Sequence, residues 1–147
     1  MVEGVRRNLR AFVGTTAFEE LARQWVWMRG KTGQLAFLAQ EVGSYWSRRV
    51  QVNIVALNWT THEILLGECK WGMDRVDLQV VRELIEKKAP LVLRDLPEAG
   101  RGWKIHYALF ARSGFTSAAS AEMQRSHGLL INLNTLETDL SQLDQQH

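Results

Sequence analysis

Glu63-Ile64-Leu65-Leu66-Gly67-Glu68-Cys69-Lys70-Trp71 is the stretch that decides the fold. From Ile64 to Cys69 every position is apolar or small except Glu68, the pattern of a central strand buried on both faces. Side chains alternate across a strand, so Glu68 and Lys70 share one face and Cys69 takes the other. A carboxylate and an ammonium are thereby held side by side.

Upstream, Glu41 to Trp46 and Val50 to Leu57 read as two more strands, punctuated by Ser47 to Arg49 and Asn58 to His62. Asn53 lies near the middle of the strand that a short hairpin pairs with the Glu68 strand, within reach of the same spot. Ahead of the strands, Val2, Val5, Leu9 and Phe12 recur at helical spacing, giving a lead-in helix over 1–14 that Gly14 breaks. A second helix is expected from Ala17 to Met28, with Phe18, Leu21, Ala22 and Trp25 inward. Thr16 would be its N-cap and Glu19 the third residue of a capping box. Downstream, Val76, Val80, Val81, Leu84 and Ile85 form the stripe of a third helix that Pro90 should end or kink. Trp103 to Ala111 reads as a strand, Ser117 to His127 as a helix and Gly128 to Leu133 as a last strand, before a polar tail, 141–147, that should fray. The order is helix, three strands, helix, strand, helix, strand, an α/β arrangement in one domain spanning 1–147.

Composition narrows the function. With 46% apolar residues and six tryptophans, 147 residues suffice for one core. A single cysteine, Cys69, excludes an internal disulfide and a cysteine-clustered zinc site. No apolar run reaches the ~20 residues that cross a bilayer, and 1–10 has no apolar stretch of a signal peptide, so no membrane role and a cytoplasmic location are expected. The net charge of +2 is too small to argue for nucleic acid alone. Residues 1–50, however, hold eight Lys/Arg against four Glu, and Arg6, Arg7, Arg10, Arg48 and Arg49 are candidate contacts to a DNA backbone. A solvated helix face gives the same pattern.

Two acidic positions and a lysine in one cluster are what metal-assisted phosphodiester hydrolysis requires. Carboxylate oxygens hold a hard cation, Mg²⁺ or Mn²⁺, which polarises phosphate and acidifies water, while lysine orients that water. Glu68 and Lys70 are equally consistent with an ordinary ion pair, so the triplet needs its context.

That context resembles the nuclease-like C-terminal domain of archaeal-type P-loop ATPases. The likeness is carried by Gly67-Glu68-Cys69-Lys70-Trp71, Val42-Gly43-Ser44-Tyr45-Trp46 and Val52-Asn53-Ile54-Val55-Ala56-Leu57. Phe18-Glu19-Glu20-Leu21 and Ala108-Leu109-Phe110-Ala111-Arg112-Ser113-Gly114-Phe115 extend it. The resemblance implies a restriction-endonuclease-like core of the PD-(D/E)XK superfamily, a mixed central sheet flanked by helices. It implies that Glu68 and Lys70 are the second acid and the lysine of the motif, and that Glu19, or less well Glu20, completes a metal site with Glu68 and position 53. Asn53 stands where the family pattern has aspartate. It is either the natural residue of a degenerate nuclease or an isosteric replacement that silences an active one.

Two functions follow from this pattern. One is a metal-dependent DNA endonuclease domain acting on duplex or branched DNA, impaired by Asn53. The other is a non-catalytic DNA-binding or protein-docking module for a P-loop ATPase domain or partner. A structural domain that self-associates as a homodimer is a weaker third. The chain itself has no Walker-type phosphate loop. His62, His106 and His127 show no ligand spacing, and Cys69 reads as a buried filler. Trp25, Trp46, Trp71 and Trp103 read as core, whereas Trp59 at a hairpin tip either stacks on a base or folds back.

Overall fold

The structure, a computed structural model, describes residues 2–145, with side chains over 14–142. The side chains of Arg6, Arg7 and Arg10 therefore lie outside the described residues. The elements are α1 (Val2–Lys31), β1 (Glu41–Trp46), β2 (Gln51–Asn58), β3 (Glu63–Lys70), α2 (Leu78–Arg82), a π-helical segment (Glu83–Lys88) and α3 (Ala89–Leu93). After these come β4 (Lys104–Ala111), α4 (Ser117–Arg125), β5 (Leu129–Asn132) and α5 (Leu133–Gln145). No described helix is long and apolar enough to cross a membrane.

The described strands form one mixed sheet in the order β1-β2-β3-β4-β5. The first three pair antiparallel through short turns, and β4 and β5 join parallel, as their helical crossovers require. Both faces are covered. Phe18, Ala22, Trp25 and Val26 of α1, with Leu136 of α5, pack on Ile54, Ala56, Leu65, Cys69 and Phe110. On the other face Val81, Leu84 and Val92 of the α2–α3 stretch, with Ala119 and Met123 of α4, pack on Val55, Ile64, Leu66 and Leu109. β3 alternates as its sequence predicts, with Leu65 and Cys69 in one core and Ile64 and Leu66 in the other.

Several expectations are corrected. Gly14 does not break a helix, and Thr16 caps none: α1 is continuous from Val2 to Lys31. A Cβ at Gly14 would stand 2.6 Å from the Trp71 indole nitrogen, so glycine here admits a tryptophan against the helix. Trp71 is also fixed by Phe18, at a ring separation of 5.3 Å, and by the Arg112 guanidinium, 4.5 Å from its ring centre. Pro90 disturbs its helix, as expected, but by widening it rather than ending it. Proline has no N–H and crowds the preceding turn, and the chain widens ahead of it into i→i+5 turns, with the Ala89 N–H reaching the Leu84 carbonyl, before α3 resumes. Where a frayed tail was expected, α5 runs to Gln145. The Asn132 side chain caps it by accepting from the Thr135 N–H at 2.8 Å. Trp46 is no core residue, being 79% exposed. Of its two readings, Trp59 takes the folded-back one, its indole N–H donating to Glu41 at 2.9 Å and its ring edge-on to Trp103.

Gly14→Val should therefore cost about 2 kcal/mol by overpacking, read as a lower urea midpoint at unchanged slope. The cost should shrink when Trp71 is replaced by the smaller phenylalanine.

Candidate active site

The site is built where β2 and β3 part company. Between Val55 and Val52, β2 advances three residues while β1 advances two, from Gly43 to Tyr45, so β2 carries a bulge at Asn53 and Ile54. Regular pairing with β3 stops at Ile54 and Gly67. A bulge frees a residue from the ladder and re-aims its side chain. Asn53 uses that freedom toward α1: its Nδ2 donates to Glu19 Oε1 at 3.2 Å, and its Oδ1 accepts the Cys69 backbone N–H at 2.9 Å. The Cys69 donor fixes the orientation of the amide, because only the oxygen can accept there. Glu19 thus serves Asn53 and belongs to no capping box. Arg23 donates to the Asn53 carbonyl and to Glu20, both at 3.3 Å, which occupies Glu20 away from the site.

Glu68 lies on the opposite face. It is 4% exposed, and its Oε1 accepts from the Lys88 ammonium at 2.8 Å. Burial pushes its pKa above the usual carboxylate value, while the hydrogen bond and charge of Lys88, and more weakly the charge of Lys70, oppose the rise. Lys70 itself is exposed at the end of β3. Cys69 is buried, and burial pushes its thiol up, keeping it protonated and unreactive. Of the predicted residues, the structure brings Glu19 to Asn53, and Asn53 to the Cys69 backbone next to Glu68. It gives Glu68 a counter-ion, Lys88, that no sequence motif indicates, since the contact depends on the π-helical segment.

The donor set as it stands does not fit a divalent cation. Among the described residues no three His, Cys, Asp or Glu side chains converge. The cation facing Glu68 is an ammonium group, and the Asn53 oxygen already accepts a backbone N–H. Exposed Lys70, Arg48, Arg49 and Arg112 lie at the strand ends and turns flanking this region.

The sheet, its flanking helices and the placement of the motif strand define a restriction-endonuclease-like fold. A repair endonuclease from Pyrococcus abyssi superimposes with a TM-score of 0.51 at 13% identity, over 78% of this chain and 46% of that one. EndoMS in its complex with double-stranded DNA gives 0.45 at 17% identity, over 78% and 44%. The chain belongs to the family DUF234, described as archaeal and bacterial proteins of unknown function, which matches residues 1–87. The protein "Uncharacterized protein MJECL04" of Methanocaldococcus jannaschii is 26% identical over 96 residues, 64% of this chain and 22% of its own length. The chain thus spans about a fifth of that relative, and under half of each structural neighbour.

Removing Lys88 tests the ion pair. A Lys88→Ala change leaves the carboxylate buried without its counter-ion, and should destabilise the protein by about 3 kcal/mol at neutral pH. The sign follows from the raised pKa: folding holds the Glu68 proton more tightly than the unfolded chain does. Stability therefore falls as pH rises from the unfolded value of 4.5 through the folded one, and is recovered below 4.5. Urea melts across that window should show the Lys88→Ala deficit shrinking on acidification, and Glu68→Gln should restore much of it in the double variant.

Proposed function

We propose that this chain is a DNA-binding module with a nuclease fold, silent as a nuclease with asparagine at position 53, and that it works for a P-loop ATPase domain or partner. The observation that carries the reading is the Asn53 amide, seated between the Glu19 carboxylate and the Cys69 N–H. An amide there satisfies both neighbours. An aspartate would face Glu19 as a like charge, a pair that is relieved by a proton or a cation. Asparagine thus stabilises the fold at this point and forgoes the charge that would draw a metal.

Support for DNA as the ligand comes from the shared fold and from exposed Lys70, Arg48, Arg49 and Arg112 about the motif end of the sheet. Support for an ATPase comes from the resemblance of the five sequence segments. An aspartate at position 53 would stand beside Glu19, and cleavage rebuilt on this framework with Mg²⁺ or Mn²⁺ would also need Glu68 released from Lys88 and Lys70 turned toward it.

The chain as it stands should bind duplex or branched DNA at micromolar affinity or weaker, falling steeply with salt, and should not nick plasmid in Mg²⁺ or Mn²⁺. Asn53→Asp should bind Mn²⁺ more tightly, measured by calorimetry, and should gain nicking. Recovering ~3 kcal/mol of transition-state stabilisation corresponds to roughly a hundredfold in rate. Lys70→Ala in that background should abolish the gain. Cleavage by the unaltered chain would overturn the proposal. Failure of Asn53→Asp to bind Mn²⁺ or cut duplex, single-stranded and branched substrates would show the framework to be structural only.

A further inference from the structure

We infer that the groove between the β1–β2 turn and the end of α3 is an anion site that takes a phosphodiester of a bound DNA strand. This rests on the DNA-binding reading above and deepens it, by giving the strand a path and adding a residue, Arg94, from outside the motif. The groove has a volume of about 360 Å³ and is lined by Ser47, Arg48, Arg49, Leu91, Arg94 and Asp95. Three guanidinium groups from two separate elements meet there, against one carboxylate, so its formal charge is +2.

Arg23, Arg29 and Arg125 each hold a carboxylate of this chain. Arg48, Arg49 and Arg94 are exposed, and no ion pair of the described residues includes them. The same holds for Arg75, Arg82, Arg101 and Arg112, so what sets these three apart is that they line one groove together. An uncompensated cluster of guanidinium forks suits phosphate, which each fork can hold through two N–H donors.

Both walls are held by the backbone. Ser47 Oγ accepts from the N–H groups of Arg49 and Val50, each at 3.2 Å, and the Ser47 N–H donates to the Val50 carbonyl at 3.0 Å. Opposite, the Asp95 N–H returns to the Val92 carbonyl at 3.0 Å, and Val92 is buried in the core. The charges are thus presented on fixed supports, which limits the ordering cost of binding.

Position argues for a strand over a free phosphate. Because β2 and β3 are antiparallel, the turn that starts β2 lies at the end where β3 finishes in Lys70. Arg94 follows Lys88, the partner of Glu68, by six residues, about 9 Å along a helix. The groove therefore continues the basic end of the sheet, beside the motif and on the α3 side. A polymer of phosphates can use both, whereas a single phosphate uses one.

The test is fluorescence anisotropy with a labelled duplex and a labelled branched DNA across a salt series, on the whole chain. Arg94→Ala should lower affinity severalfold and reduce the slope of log affinity against log salt by about 0.9, one duplex phosphate contact. Arg48→Ala and Arg49→Ala should do likewise. Arg101→Ala removes the same charge from an exposed site ahead of β4, at the opposite end of the sheet, and should change neither quantity. Equal thermal melts establish that each variant folds. If the chain binds DNA but Arg94→Ala behaves like Arg101→Ala, the groove assignment is wrong while the DNA-binding reading stands. If the unaltered chain binds no DNA at low salt, both fall. If pyrophosphate binds in an Arg94-dependent way while DNA affinity ignores Arg94, the ligand is a free polyphosphate and the strand assignment is overturned.

Discussion

A carboxylate inside an apolar strand is the constraint around which one half of this molecule is arranged. Glu68 sits on the face that carries Ile64 and Leu66, and an isolated charge there would be costly to desolvate. Its compensation is Lys88, brought to 2.8 Å by a stretch of helix wound more widely than an α-helix. Proline at position 90 is part of the same solution, because the wider turns ahead of it absorb the clash that would otherwise stop the helix. Helix irregularity, buried acid and lysine form one unit. Each looks like a defect alone, and together they close the charge balance of this face.

The other face handles position 53 by a different device. There the bulge in β2 takes Asn53 out of the ladder, and its amide replaces ladder hydrogen bonds with one to the Cys69 N–H and one to Glu19. Position 53 thus does strand-end work, which an amide performs well because it both donates and accepts. A carboxylate could only accept. Glu19 and Glu68 are consequently partnered in unlike ways: Glu19 accepts from a neutral amide on the α1 side, and Glu68 is paired with a cation on the α3 side.

Much of this was legible in the sequence, for reasons that can be named. The hairpins β1 to β3 were readable because period-two alternation and short polar turns are local signals, and the opposed faces of Glu68 and Cys69 follow from that period. What failed were rules that tertiary contacts override. Gly14 reads as a breaker until Trp71 is seen to need its missing side chain. Pro90, by contrast, disturbs its helix as a proline should, and only the form of the disturbance, a widening, was not legible. α5 was hidden because it starts at Leu133, directly after β5 ends at Asn132, with no loop to announce it. Its Leu133, Leu136 and Leu140 stripe, which packs on the α1-side core, was nevertheless available. Lys88 had no such local signal, since nothing near it in sequence indicates a partner twenty residues away.

These contacts separate what holds the fold from what would perform chemistry on it. Glu68 is needed by neither core for packing, and it remains tolerable only while Lys88 faces it. Glu19 and Asn53 satisfy one another and the end of the β3 ladder without any ion. Lys70 makes no such contribution: it is exposed and is felt at Glu68 only through its charge. The motif can therefore persist as structure at Glu19, Asn53 and Glu68, whose hydrogen bonds and ion pair their removal would break, whereas nothing in the packing requires a lysine at position 70. A basic side chain there is free for the proposed anion contact, as are the exposed arginines near it.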